Sequence, residues 1–398
     1  MSRAEGRLAI AALALCAALA ACGRGRGGAP SALTTTVDTA GGVVRIANRG
    51  PAPRWRLEPL LTLGKRASVA GSSLEEFGKV RGVVADGEGR LYVADGIAHE
   101  IRVFGPDGTF LRKIGREGAG PGEFGGIGGL WWLAPDTLVV LDYGNARVAA
   151  LRADGEEVAV WPWLSLTGTG PFVFEGGPRA VYAHALRGGR DGRTESVWVR
   201  FTPGGPRDSL PIPRSEPPPG ALVTCRGGNG IGFFGNPFAD GLIAVPAPGD
   251  ERVVARASSY RLAFIDAGGD TLRTVSRDVA APPVPDSAWS GVMERYRKFR
   301  ESWKGADCEG GLERPDRAPI LRGITFGEGG RVLVERGTAG GRVLDLFGRD
   351  LRLEGTVAVP PDGDASVSPY LRGDRLYLVT ADGLGVQRVR SYAIADSS

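Results

Sequence analysis

Histidine is nearly absent from this chain. Two occur in 398 residues, His99 and His184, which argues against a histidine-rich metal site and against a histidine-based triad. A nucleic-acid footprint is also missing. The 49 basic residues outnumber the 45 acidic ones by only four, and they are scattered rather than gathered in a stripe with interleaved aromatics. What the chain has in quantity is glycine and proline. The 63 Gly and 28 Pro are high for a helical protein and natural for many short strands joined by tight turns. At 41.7 kDa the chain is long enough for a large core, and an all-β domain of this size can be one unit.

The N-terminus has the layout of an export signal. Arg3 and Arg7 precede an Ala- and Leu-rich run over residues 8–21 that is too short to span a bilayer comfortably. It ends in Leu19-Ala20-Ala21-Cys22, which resembles the bacterial lipoprotein lipobox. That resemblance implies cleavage before Cys22, acylation of Cys22, and a stable membrane anchor, since two or more acyl chains hold where one does not. The alternative is an ordinary secretory peptide. Gly23, not Asp, follows Cys22, which favours the outer membrane. Residues 1–21 are therefore expected to be a signal peptide and residues 22–53 a flexible tether, polar and without a sustained apolar period. Within the tether, residues 43–46 (VVRI) have the look of a docking edge strand. Cys225 and Cys308 then remain as an even pair in an exported chain, and a disulfide between them is expected, with two thiols as the alternative.

Residues 54–398 carry a repeat. Residues 81–90 read RGVVADGEGR and residues 322–331 read RGITFGEGGR, each followed by an apolar strand. Self-similarity at distant positions marks a repeat architecture. Asp-Gly turns at Asp107-Gly108 and Asp154-Gly155 are hairpin signals between alternating strands. Aligning on the turn before each second strand gives six units, whose second strands begin near Arg90, Thr137, Arg179, Gly241, Arg331 and Arg375. About four strands per unit is the module of a propeller blade. The sixth unit lacks an outer strand. Residues 55–63 resemble residues 111–115 and are expected to supply it, closing the ring and removing its open edge. Between the fourth and fifth units the pattern breaks. Trp289, Val292, Met293, Tyr296, Phe299 and Trp303 recur at helical spacing, which predicts an amphipathic helix over about residues 285–304, with Asp286 or Ser287 as cap.

The stretch VRGVVADGEGRLYVAD…IRVFGPDGTFLRKIGREGAGPGEF resembles NHL-type six-bladed β-propellers. It is more similar still to the bacterial lipoprotein family described as 6-bladed β-propellers, and VDTAGGVVRIAN (residues 37–48) looks like that family's lead-in. The resemblance implies an all-β, six-bladed fold in the cell envelope and no established activity; a monomer is expected.

The innermost strand of each blade lines the central channel. Nine residues before each second strand stand Arg81, Gly128, Gly170, Gly232, Arg322 and Ser366. Arg81 and Arg322 are candidates for an anion, a carboxylate or a sugar acid, because the guanidinium fork suits that geometry. The competing role is pairing with acids on neighbouring blades. Trp131 is a candidate carbohydrate platform, with core packing as its competitor. Residues 118–124 (GAGPGEF) lack the Lys and the context of a phosphate loop. Asp95, Asp142 and Asn145 suit turn fixing. No acid, base or nucleophile set stands out, so the expected function is a non-catalytic binding module for an envelope protein or an anionic or carbohydrate ligand, with no cofactor and no metal. The alternative is a calcium-dependent lactonase or esterase, as in six-bladed relatives, with Glu175 and Asn236 near a shifted axial site.

Overall fold

The computed structural model describes residues 32–64, 76–133, 135–162, 174–177, 180–188, 194–202, 204–213, 215–228 and 230–396. Cys22 and Gly170 lie outside them. Six four-stranded antiparallel units follow one another along the chain. Blade 1 is Val80–Ala85, Leu91–Asp95, Glu100–Phe104 and Phe110–Ile114. Blade 2 is Ile127–Leu133, Thr137–Asp142, Arg147–Arg152 and Glu157–Pro162. Blade 3 is Phe174–Gly177, Ala180–Gly188, Thr194–Thr202 and Gly205–Pro211. Blade 4 is Leu242–Ala247, Glu251–Arg256, Arg261–Ile265 and Thr271–Arg277. Blade 5 is Leu321–Phe326, Val332–Thr338, Gly341–Phe347 and Leu353–Ala358. Blade 6 is Tyr370–Arg372, Arg375–Ala381 and Gln387–Asp396, completed by Arg54–Leu63 from the other end of the chain.

The cores explain why the second strands read as unbroken apolar runs. Side chains alternate across a strand, and each blade is covered on both faces. In LYVAD, Tyr92 and Ala94 enter the core shared with blade 2, while Leu91 and Val93 enter the core shared with blade 6. The same split sends Leu138 and Val140 one way and Val139 and Leu141 the other. It recurs for Leu376 and Leu378 against Tyr377 and Val379. One apolar cluster fills each gap from blades 1–2 round to blades 6–1, so the ring is closed. A closed ring leaves only short protected edges.

Two segments differ from the sequence expectation. Residues 34–49 are not tether, although residues 43–46 dock as the edge strand expected of them. Thr34–Ala40 and Val43–Arg49 form a hairpin whose second strand pairs in parallel with Thr271–Arg277 of blade 4. Ile46 enters the blade 4–5 core, and buried Asn48 donates to the Leu351 carbonyl (3.2 Å) and accepts from the Leu353 N–H (3.0 Å). The exposed first strand shows almost no apolar alternation, which is why its composition reads as linker.

The second difference is an accessory lobe. Leu222–Gly227, Gly230–Gly235 and Asp307–Gly310 make a separate three-stranded sheet. The helix Asp286–Ser302 lies beside it, with Phe234 5.4 Å from the rings of both Tyr296 and Phe299. No side chain caps the helix; Asp286 is bound instead by Arg314. Cys225 and Cys308 are directly opposite on neighbouring strands and joined as a disulfide. It clips the connection between blades 3 and 4 to that between blades 4 and 5. Replacing both cysteines by serine is expected to remove about 2–4 kcal/mol, seen as a lower denaturant midpoint; an unchanged midpoint would show the clip to be idle.

Candidate functional site at the channel mouth

The inferred channel positions divide three ways. Arg81, Gly128 and Arg322 occupy one structural position. Each is the extra residue of a β-bulge at the start of an innermost strand: the register skips between Val80 and Gly82, Ile127 and Gly129, and Leu321 and Gly323. Gly232 is a correction. It lies in the accessory sheet, and the innermost strand of blade 4 is Leu242–Ala247, the strand the spacing had placed second. Ser366 falls just before the innermost strand of blade 6, where its hydroxyl is 3.5 Å from Lys79 Nζ. Bulges re-aim side chains and recur beside functional sites.

Arg81 and Arg322 are both exposed, and neither forms an ion pair or side-chain hydrogen bond among the described residues. The expected competing role, pairing with acids on neighbouring blades, is thus not what they do. Their surroundings match. The Gly96 N–H donates to the Lys79 carbonyl (2.7 Å) and the Gly337 N–H to the Ile320 carbonyl (3.2 Å). Both glycines lie under an arginine stem: a Cβ on Gly96 would fall 2.8 Å from Arg81 Cγ, and one on Gly337 3.9 Å from Arg322 Cδ. In blade 2 the sizes are exchanged. Gly128 holds the bulge, and Tyr143 stands where Gly96 and Gly337 stand, its N–H donating to the Gly126 carbonyl (2.9 Å). Its exposed ring covers Gly126, where a Cβ would come within 2.8 Å. Tyr143 was not singled out from sequence, although aligning DGIAHE with DYGNAR places it opposite Gly96.

Buried aspartates fix this rim. Asp95 accepts from the N–H groups of Gly78, Lys79, Ile97 and Ala98 at 2.8–3.2 Å. It therefore holds both the entry to Arg81's strand and the turn that follows. Asp142 does the same for Gly125 and Gly126, and accepts from Asn145 and Arg147 as well. Lys79 is paired with Asp364 (3.7 Å). Burial opposes ionisation of Asp364, but bonds from Ser366 and Gln387 outweigh it and hold the carboxyl below the usual range. At the opposite end, Arg372 of blade 6 binds Glu328 of blade 5 (2.9 Å) and the Asp86 carbonyl of blade 1. Beside it burial, then the Asp86 charge, push Tyr92 up to about 12.

Trp131 is half-buried against the blade 2–3 core, and Trp132 stacks on Tyr92 at 5.6 Å in the blade 1–2 gap. His99 Nδ1 is 3.2 Å from the Phe124 carbonyl. Asn236 is a turn holder, donating to the Gly220 and Glu313 carbonyls. Glu175 is on the innermost strand of blade 3, its side chain outside the described set. Among the described residues no three His, Cys, Asp or Glu cluster as a metal site would require.

A closed ring of four-stranded blades around an axis defines a β-propeller. Residues 76–148, a stretch well short of half the chain, match the family model described as 6-bladed beta-propeller. No curated protein matches the sequence. Similar solved structures include a putative exported protein from Bacteroides fragilis (9% identity, TM-score 0.45, 87% of this chain and 99% of that one). Another is virginiamycin B lyase from Staphylococcus aureus (12% identity, TM-score 0.40, 79% and 94%). At these scores neither informs the activity of this chain. No helix among the described residues is long and apolar enough to cross a membrane.

Proposed function

We propose that this β-propeller is a lipid-anchored, extracytoplasmic binding module without catalytic activity, and that it takes an anionic group at the channel mouth through Arg81 and Arg322. The observation that carries the reading is the pair of arginines at equivalent bulges, exposed and unpaired among the described residues. A guanidinium fork offers a carboxylate two parallel bonds. Each such charge-assisted bond contributes about 1.5–3 kcal/mol. The export-type N-terminus and the Cys225–Cys308 disulfide support an oxidising compartment.

The melting temperature, read with EDTA, with added Ca²⁺ and with a panel of carboxylates and sugar acids, tests this. A ligand that binds only the folded state stabilises it by about 2.7 kcal/mol at a hundredfold excess over its dissociation constant. Stabilisation by anions, insensitive to EDTA, is expected. A Ca²⁺-dependent rise with stoichiometric metal would replace the reading with the calcium-dependent hydrolase. For the anchor, Cys22→Ala is expected to abolish incorporation of an alkyne-tagged fatty acid and to move the protein from the membrane to the soluble fraction. Label that persists in the variant would contradict acylation at Cys22.

A further inference from the structure

The rim around Arg81 carries more than charge. Ile97, in the turn after blade 1's second strand, is 66% exposed; Tyr143, in the equivalent turn of blade 2, is 53% exposed; Leu384, in that of blade 6, is 73% exposed. These are consecutive blades of the ring, and all three turns open on the face where the innermost strands begin. The segments touch. Gln387, at the end of the Leu384 turn, accepts from the Val80 N–H (2.6 Å). A Cβ on Gly96 would meet both Arg81 Cγ and the Ile127 carbonyl of blade 2.

Glycines floor this shelf and set its posture. Ile97 lies on Gly78, Arg81 on Gly96 and Tyr143 on Gly126, each too close for a Cβ between them. Contacts on one side and buried Asp95 and Asp142 beneath restrain Ile97, Tyr143 and the stem of Arg81, so these side chains have less rotamer freedom to lose on binding. Pre-organisation of this kind raises affinity by lowering the cost of ordering. Arg and Tyr are also the residue types that dominate binding energy in interfaces. A small anion needs the arginines alone and makes no use of apolar side chains spread over three blades.

We infer that this shelf docks a segment of a partner protein in which a carboxylate side chain is flanked by apolar ones, the carboxylate meeting Arg81 and the flanks meeting Ile97, Tyr143 and Leu384. Charge complementarity selects the occupant: Lys79 is neutralised by Asp364, while Arg81 has no acidic partner among the described residues. The inference rests on the anion-binding reading above and narrows its ligand to a polypeptide.

The test is selection of a random twelve-residue phage-displayed peptide library on the full chain, with the selected peptides then titrated by fluorescence anisotropy. Enrichment of Asp or Glu next to Leu, Ile, Phe or Trp is expected, with affinity falling at least tenfold in Arg81→Ala and in Tyr143→Ser. Variants are compared only where their melting curves match the parent. Arg81→Glu supplies a second reading, because it should turn the selection toward Lys- and Arg-containing peptides. No enriched peptide, or peptides indifferent to Arg81 and Tyr143, overturns the docking inference. Citrate titrated in parallel separates the two failures. Citrate binding that depends on Arg81 and Arg322, without peptide binding, leaves the anion site standing; absence of both removes both.

Discussion

Deleting residues 54–63 will abolish the cooperative unfolding transition of this protein. The strand Arg54–Leu63 pairs with Gln387–Asp396 from Leu63↔Val389 to Trp55↔Asp396, and its start also pairs in parallel with Thr356 and Val357 of blade 5. It thus completes blade 6 and touches the neighbouring blade. Its inward side chains belong to two cores: Leu63 and Leu61 to the blade 6–1 gap, Trp55 and Leu57 to the blade 5–6 gap. Burying an apolar side chain of this size contributes about 1.5–3 kcal/mol when complete, so even partial burial of four approaches the roughly 5–15 kcal/mol that holds a domain together. The deletion also exposes an unpaired strand edge, so aggregation is expected. Circular dichroism on heating reads the outcome. Within the same strand, Leu63→Ala should keep the ring and cost about 2–5 kcal/mol. A deleted protein that melts like the parent would show the ring to be closed elsewhere.

The second large effect is at Asp345. This fully buried carboxylate accepts from Tyr260 Oη (2.8 Å), Arg336 Nε (2.9 Å), an Arg277 guanidinium N–H and the Thr356 hydroxyl. It ties blade 4 to three strands of blade 5. Burial, then the Asp345 charge, raises the Tyr260 pKa well above its ordinary value, so the phenol stays a donor. Asp345→Ala leaves two largely buried guanidiniums facing each other with no counter-charge. Breaking a buried pair from one side costs about 3–5 kcal/mol. The denaturant midpoint should fall accordingly with an unchanged slope, and Asp345→Asn, which keeps acceptors but not charge, should fall less. A loss under about 1 kcal/mol would mean that water or a rearranged Thr356 substitutes for the carboxylate.

The features legible in the sequence were those set by local pattern. Buried second strands such as LYVAD and TLVVLD, the Asp-Gly turns and the missing sixth outer strand led to the ring, and the last two cysteines to the disulfide. The helical period of Trp289 to Trp303 led to the insertion. The features that were not legible depend on tertiary context. GIGFFG in residues 230–235 has the look of an innermost strand because strand pattern does not tell which sheet a strand joins. That placed Gly232 on the channel and shifted blade 4 by one strand. In the hairpin over residues 34–49 only VVRI was legible as a docking strand; Thr34–Ala40 pairs through its backbone with little buried apolar surface, so composition read it as tether. Asp345 interrupts an otherwise apolar strand, and only the convergence of Tyr260, Arg277 and Arg336 from distant positions explains it. At the candidate site, Arg81 and Arg322 were legible through the repeat itself. Their lack of partners among the described residues, and the place of Tyr143 on the blade next to that of Arg81, required the bulges and glycine contacts of the folded chain.

The most direct test of the anion-binding account is calorimetric titration of citrate and D-galacturonate into the full chain and into its Arg81→Ala, Arg322→Ala and doubly substituted variants. The account predicts saturable binding to the parent, roughly tenfold or more weaker in each single variant, and none in the double variant with its melting curve intact. Binding to the double variant as tight as to the parent, or no binding of either anion to the parent, would contradict it.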